Sequence, residues 1–142
     1  MSLDDGDDWK LGFTVNFDDS FFVEFTEDDD GSNEDWDAPD SVKIEYQIDG
    51  GGFQNLLAIE NDGATFNSAP SLDEDFDGTG DGNTVLTNTF QELSAGIAGT
   101  GSVLDLRITV ALDSGDEDIA IDNLMVVGQS GGTTPPAVLA VS

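Results

Sequence analysis

Over residues 104–112 the chain reads Leu-Asp-Leu-Arg-Ile-Thr-Val-Ala-Leu, with an apolar side chain at every second position. Strict alternation of this length excludes an amphipathic helix, whose apolar residues recur at three and four, and demands a strand with one buried face. Residues 42–48 (Val-Lys-Ile-Glu-Tyr-Gln-Ile) repeat the pattern. Apolar stretches at 21–25, 53–59, 85–93 and 119–127 are further candidate strands, bounded by turn-forming runs such as Asp49-Gly-Gly-Gly52 and Asp113-Ser-Gly-Asp116. Gly51 or Gly52 is suited to the positive φ of a hairpin joining 42–48 to 53–59. Helical periodicity is nearly absent. The expectation is an all-β chain of about seven to nine strands packed as two antiparallel sheets.

Charge is the second constraint. Among 142 residues, 31 are acidic and three are basic (Lys10, Lys43 and Arg107), a formal net charge of −28. Compaction at that charge density works against self-repulsion, so bound divalent cations, salt, or both must offset it. Asp outnumbers Glu by 23 to 8, and short Asp side chains suit turns and rigid oxygen cages better than helix surfaces. Nucleic acid and anionic membrane surfaces are excluded as main partners, because both need positive charge. The chain has neither Cys nor His. That removes disulfides, thiolate chemistry, an imidazole base and the usual zinc cage, leaving hard-ion chemistry through oxygen. No stretch approaches the ~20 apolar residues of a membrane span, and the opening residues show no signal-peptide pattern.

The acidic residues are not spread evenly. Asp73-Glu-Asp75-Phe-Asp77-Gly78-Thr79-Gly-Asp81 places carboxylates at relative positions 1, 3, 5 and 9 and glycine at 6, the ligand spacing of an EF-hand loop up to its ninth position. Gly78 permits the sharp turn that would bring the Thr79 carbonyl to an ion. Position twelve is Thr84 rather than a bidentate glutamate, and no flanking helices are visible. The expectation is a free-standing acidic Ca²⁺ loop with Asp73, Asp75, Asp77, Thr79 and Asp81 as ligands; the bland alternative is a solvated Asp/Gly turn.

A second acidic run, from Glu27 through Asp40, links two predicted strands. Connections of this length are usually functional or disordered. Asp37 and Asp40 stand beside Trp36 and Pro39, which restrain them. Trp36 is the best candidate for stacking on a sugar, weighed against simple packing over the core. A third cluster, Asp116-Glu-Asp118, precedes the 119–127 strand, and from there Glu117 and Asp122 would face the 27–40 loop if the strands are neighbours.

Residues 46–50 (Tyr-Gln-Ile-Asp-Gly), the 73–82 loop, Asp105-Leu-Arg107 and the closing Gly115-Asp-Glu-Asp-Ile-Ala-Ile-Asp-Asn-Leu124 resemble jelly-roll modules of large secreted bacterial proteins, found beside extracellular nuclease, lamin-tail and adhesin-type domains. The closing pattern is also similar to the last strand of MAM-type and calcium-dependent carbohydrate-binding sandwiches. The resemblance spans roughly residues 20 to 128. It implies a two-sheet antiparallel jelly-roll-like β-sandwich, export, and calcium at loop carboxylates, with Asp37, Asp40, Glu117 and Asp122 as candidate ligands by position; Glu27, which opens the second acidic run, is a further metal candidate. Those modules have more sheet ahead of the segment matching 21–25 than this chain provides. Either residues 9–17 complete the sheet in short form, or a strand from another chain does.

The organisation expected is a sandwich module over 1–128, a Gly/Thr/Pro linker over 129–136 and a short apolar segment over 137–142. That last segment either opens a following element or docks as a strand. The functional expectation is a non-catalytic, calcium-stabilised binding or structural module of a secreted or cell-surface protein, since millimolar extracellular Ca²⁺ fills weak loop sites and cytosolic Ca²⁺ does not. Two alternatives accompany it: a self-assembling filament or surface-layer subunit using strand exchange between copies, and a calcium-dependent module binding a glycan. An enzyme is disfavoured, because glycoside hydrolysis needs an enclosed acid of raised pKa, and these carboxylates belong to Gly-rich turns.

Overall fold

The computed structural model describes residues 2–3, 8–13, 19–27, 36–38, 40–63, 68–113, 117–127 and 138–141. Among them there is no helix, and ten strands follow in chain order: β1 (Ser2–Leu3), β2 (Asp8–Phe13), β3 (Asp19–Glu27), β4 (Ser41–Ile48), β5 (Gln54–Glu60), β6 (Ser71–Leu72), β7 (Gln91–Ile97), β8 (Leu104–Ala111), β9 (Ile119–Val127) and β10 (Val138–Val141). One sheet has the order β1-β9-β3-β7, with β10 also pairing β9; the other has the order β2-β8-β4-β5-β6. Every pairing is antiparallel. The two sheets form a β-sandwich whose chain crosses repeatedly between layers, as in a jelly roll.

The period-two pattern does what it demands. Leu104, Leu106, Ile108 and Val110 of β8 and Val42, Ile44 and Tyr46 of β4 are buried. They face Phe21, Val23 and Phe25 of β3 and Ile119, Ile121, Leu124 and Val126 of β9 across one continuous core. At about 1.5–3 kcal/mol per large apolar side chain, this burial is the main force holding the layers together. Tyr46 keeps its hydroxyl partnered by donating to the Ala98 carbonyl at 3.2 Å.

Two bulges adjust the phase. In β9 the inward series steps from Ile121 to Leu124 because the register against β3 shifts between Phe22 and Glu24. Asn123 absorbs the extra residue at φ 49°, a left-handed conformation that Asn tolerates better than most side chains. In β5 a register shift opposite Ile44 and Glu45 lets both Leu56 and Leu57 be buried. The β4–β5 turn takes positive φ at Asp49, Gly50 and Gly52.

One expectation shifts. The strand expected at 85–93 begins instead at Gln91, because Val85 and Leu86 join the 70–71 segment through the Ser71–Val85 bridge and the Leu86 N–H to Pro70 carbonyl bond. Residues ahead of β3 do supply sheet: β2 adds an edge strand on β8 in the opposite sheet, and β1 pairs with β9 in β3's own sheet. The expected linker 129–136 lies outside the described residues, whereas part of the terminal segment forms β10 on β9.

Candidate metal centre

At one end of the sandwich, two connections between the sheets come together. The β3–β4 connection brings Asp37 and Asp40, and the β8–β9 connection brings Asp113 and Glu117. One carboxylate oxygen of each of these four residues lies within 4.8 Å of the others. Oxygens that close together could share one metal ion, whose coordination shell is about that wide.

Each half of the cluster is built by its own loop. The Asp37 N–H donates to Asp40 Oδ2 at 2.6 Å, and the Asp40 N–H returns a bond to the Asp37 carbonyl at 2.8 Å. In the facing loop the Asp113 N–H donates to Glu117 Oε2 at 2.8 Å. In both loops, then, a buried carboxylate grips the amide of the residue that supplies the more exposed one. The Trp36 carbonyl fixes the first loop from behind, accepting from Asn61 Nδ2 at 2.6 Å and from the Ser68 N–H at 3.1 Å.

Asp40 carries the sharpest signal. It is 2% exposed, and its Oδ1 is buried with no hydrogen-bond partner. Its pKa rises from 3.8 to about 6, first because burial disfavours the charged form and then through repulsion from Glu117, Asp37 and Asp113; the bond from the Asp37 amide works in the other direction. Neither basic side chain that the structure describes relieves this. The chain's three basic residues all lie in strands of the other sheet's β2, β4 and β8: Lys10 stands opposite Arg107, Lys43 pairs with Glu60 at 3.0 Å and Arg107 with Glu45 at 2.6 Å.

A second group joins Asp73, Asp75 and Asp81 within the same mutual distance. Gly78 makes the expected turn at φ 91°. Here too the carboxylates are engaged by the loop's own backbone. Asp73 accepts from the N–H groups of Asp77 at 3.3 Å and Gly78 at 3.0 Å, and Asp81 Oδ2 accepts from the Glu74 N–H at 2.6 Å. The Asp77 carboxylate lies outside the set, and Thr79 packs beside Gly63. Repulsion from Asp77 comes first among the causes that raise the exposed Asp75 pKa.

Of the further ligands expected, Asp37, Asp40 and Glu117 meet. Glu27 is buried opposite Ile119 but is not in the four-residue set, and Asp122 pairs in register with Glu24, with Oδ1 accepting from the Asn123 N–H. Asp113 is the member that sequence reading passed over as part of a turn. The mirrored acidic pairs 37/40 and 113/117 were the available signal. Trp36 corrects an expectation: it is 0% exposed, its ring belongs to the core, and it offers no face to a sugar. Compared with protein-family models, curated proteins and solved structures, the chain matches none of them.

Proposed function

We propose that this chain is a non-catalytic structural or binding module of a secreted or cell-surface protein, stabilised by calcium held between Asp37, Asp40, Asp113 and Glu117. The observation that carries this reading is Asp40, a buried residue whose Oδ1 has no donor and whose carboxylate is grouped with three others. An uncompensated buried charge is among the costliest features of a fold, and a divalent ion is the partner that satisfies all four groups at once. An all-oxygen donor set in a chain without His or Cys suits a hard cation. Calcium fits better than magnesium because the ligands come from two separate loops, and calcium accepts irregular shells where magnesium demands a near-ideal octahedron. The 73–81 group is the weaker candidate, since none of its described carboxylate oxygens is both buried and without a donor, as Asp40 Oδ1 is.

A raised carboxyl pKa is also what a glycosidase acid requires. Asp40 Oδ1, however, is closed to solvent, and a proton donor must touch its substrate. Bound ion at this place would clamp both sheet-to-sheet connections, which is a structural role.

Calorimetric titration with Ca²⁺, paired with melting in millimolar Ca²⁺ or chelator at fixed ionic strength, tests the proposal. Saturable binding and a higher melting temperature are expected, and Asp113→Asn or Glu117→Gln should abolish most of both while Asp75→Asn leaves them nearly intact. Identical melts in Ca²⁺ and chelator would sink the reading; full retention of the shift in Asp113→Asn would move the ion elsewhere.

A further inference from the structure

The outer edge of β9 is met by both ends of the chain. β10 lies along its later part, with Val138 opposite Val127 and Val141 opposite Leu124. β1 lies along its start, with Ser2 opposite Ala120 and Leu3 opposite Ile119. Both run antiparallel to β9, so they are parallel to each other and collinear, and β10 points at the beginning of β1. They are two pieces of one interrupted edge strand. Among the described residues neither pairs with any strand but β9.

Short segments held along a single side occupy the low end of local stability and open readily. The connection that returns β10 to β9, residues 128–137, reads Gly-Gln-Ser-Gly-Gly-Thr-Thr-Pro-Pro-Ala. Extended, it reaches roughly 35 Å, whereas adjacent strands lie about 4.8 Å apart. Hairpin connections of two to five residues suffice for pairing within one chain. By length alone this connection can deliver the strand to a neighbour as well as to its own β9.

We propose that the outer edge of β9 is a strand-exchange site at which residues 138–141 of a second copy of this chain replace its own. The occupant is a second copy because the pairing is already specified by this sequence. Leu139 stands opposite Val126 and Val141 opposite Leu124, both buried partners, and exchange repeats every one of these pairs between molecules at little net cost. The net charge of −28 opposes association, so exchange belongs to conditions of high salt or divalent cation. The site is independent of the metal reading above.

The chain's lack of cysteine permits a direct test. Met125 and Ala140 are directly opposite, and such positions fall within the roughly 4.4–6.8 Å Cα separation that a disulfide bridges. The double variant M125C/A140C is concentrated in about 1 M NaCl, where the Debye length falls to about 3 Å, then oxidised and resolved on a non-reducing gel with intact-mass analysis. Disulfide-linked dimers or longer chains, well above the yield of M125C or A140C alone, are expected. Exclusively monomeric protein with an internal disulfide would overturn the proposal, as would no disulfide at all or dimer yields matched by the single variants. Calcium binding is not read in this experiment, so its failure leaves the metal proposal standing.

Discussion

Asp40 shows how one side chain can set the pH response of a whole domain. Its folded-state pKa, raised to about 6 from 3.8, means that the native state binds its proton more tightly than the unfolded chain. Without metal, the ionised group costs stability in full above about pH 6, and that cost fades as pH falls through 6 towards 3.8. Metal-free protein should therefore melt higher at pH 5 than at pH 7.5, judged on this group, against the opposite trend expected of salt-bridged carboxylates. In saturating Ca²⁺ the sign reverses, because proton and ion compete for the same oxygens, so the calcium-dependent part of the melting shift should shrink on acidification through pH 6. Parallel pH–melting curves with chelator and with calcium measure both trends. Asp40→Asn separates charge from shape. In chelator at pH 7.5 it should match or exceed the parent in stability, since an unpaired buried charge is gone, while its response to Ca²⁺ is largely lost. A fall in chelator of the size usual for a broken core contact would show that Asp40 is a structural polar residue and nothing more.

At the scale of elements, β9 gives the clearest account of what was legible in the sequence. Its apolar content and the turn-forming residues ahead of it located its bounds, while alternation located β4 and β8 to within a residue, because a buried face imposes period two whatever the partner strand. The bulge at Asn123 was not legible, since the break in phase between Ile121 and Leu124 reads as an ordinary polar pair until β3 is seen opposite. A β-branched residue is strained at φ 49° and would also lose the 2.6 Å bond that Asn123 Nδ2 donates to Glu24 Oε2. Asn123→Val should accordingly cost about 1–3 kcal/mol in denaturant melts, although the position is exposed and a generic surface change costs almost nothing. Asn123→Gly should cost less, because it relieves the backbone even while losing the bond. The candidate site was half legible for a related reason. Local spacing drew attention to 73–81, where ligands are contiguous in sequence, but the better-organised cluster is assembled from two connections some seventy residues apart. Only the pairing of β3 with β9 and of β4 with β8 brings Asp37 and Asp40 to Asp113 and Glu117. Trp36 escaped for the converse reason: nothing local distinguishes a tryptophan folded into the core from one standing on an acidic loop.

For the molecule as a whole, the question is how a chain of net charge −28 stays compact. Its three cations are confined to the strands of one sheet, and the two whose side chains are described are held by Glu60 and Glu45. Among the described residues, two acidic groups gather carboxylates closely in loops, with no basic residue among them. Screening and chelation relieve this differently. Monovalent salt shortens the reach of every charge, to about 10 Å at 0.1 M, and acts on the diffuse field without satisfying Asp40 Oδ1. A bound divalent ion acts at one point but supplies the missing partner. At a free concentration of 100 times Kd, ion binding adds about 2.7 kcal/mol, which for a domain of this size is a melting shift of roughly 8 °C. The two effects should be separable by titration. Calcium should raise the melting temperature along a saturable curve at low millimolar concentration, and NaCl along a shallow, unsaturated one at tenths of a molar. In 0.5 M NaCl most of the diffuse contribution is already screened, yet the calcium increment should survive at more than half its low-salt size, because the four carboxylates share a partly buried site where screening is weak. If the increment vanished in NaCl, calcium would be acting only as a more highly charged screening ion. In that case the cluster of Asp37, Asp40, Asp113 and Glu117 would be a concentration of charge without a specific occupant.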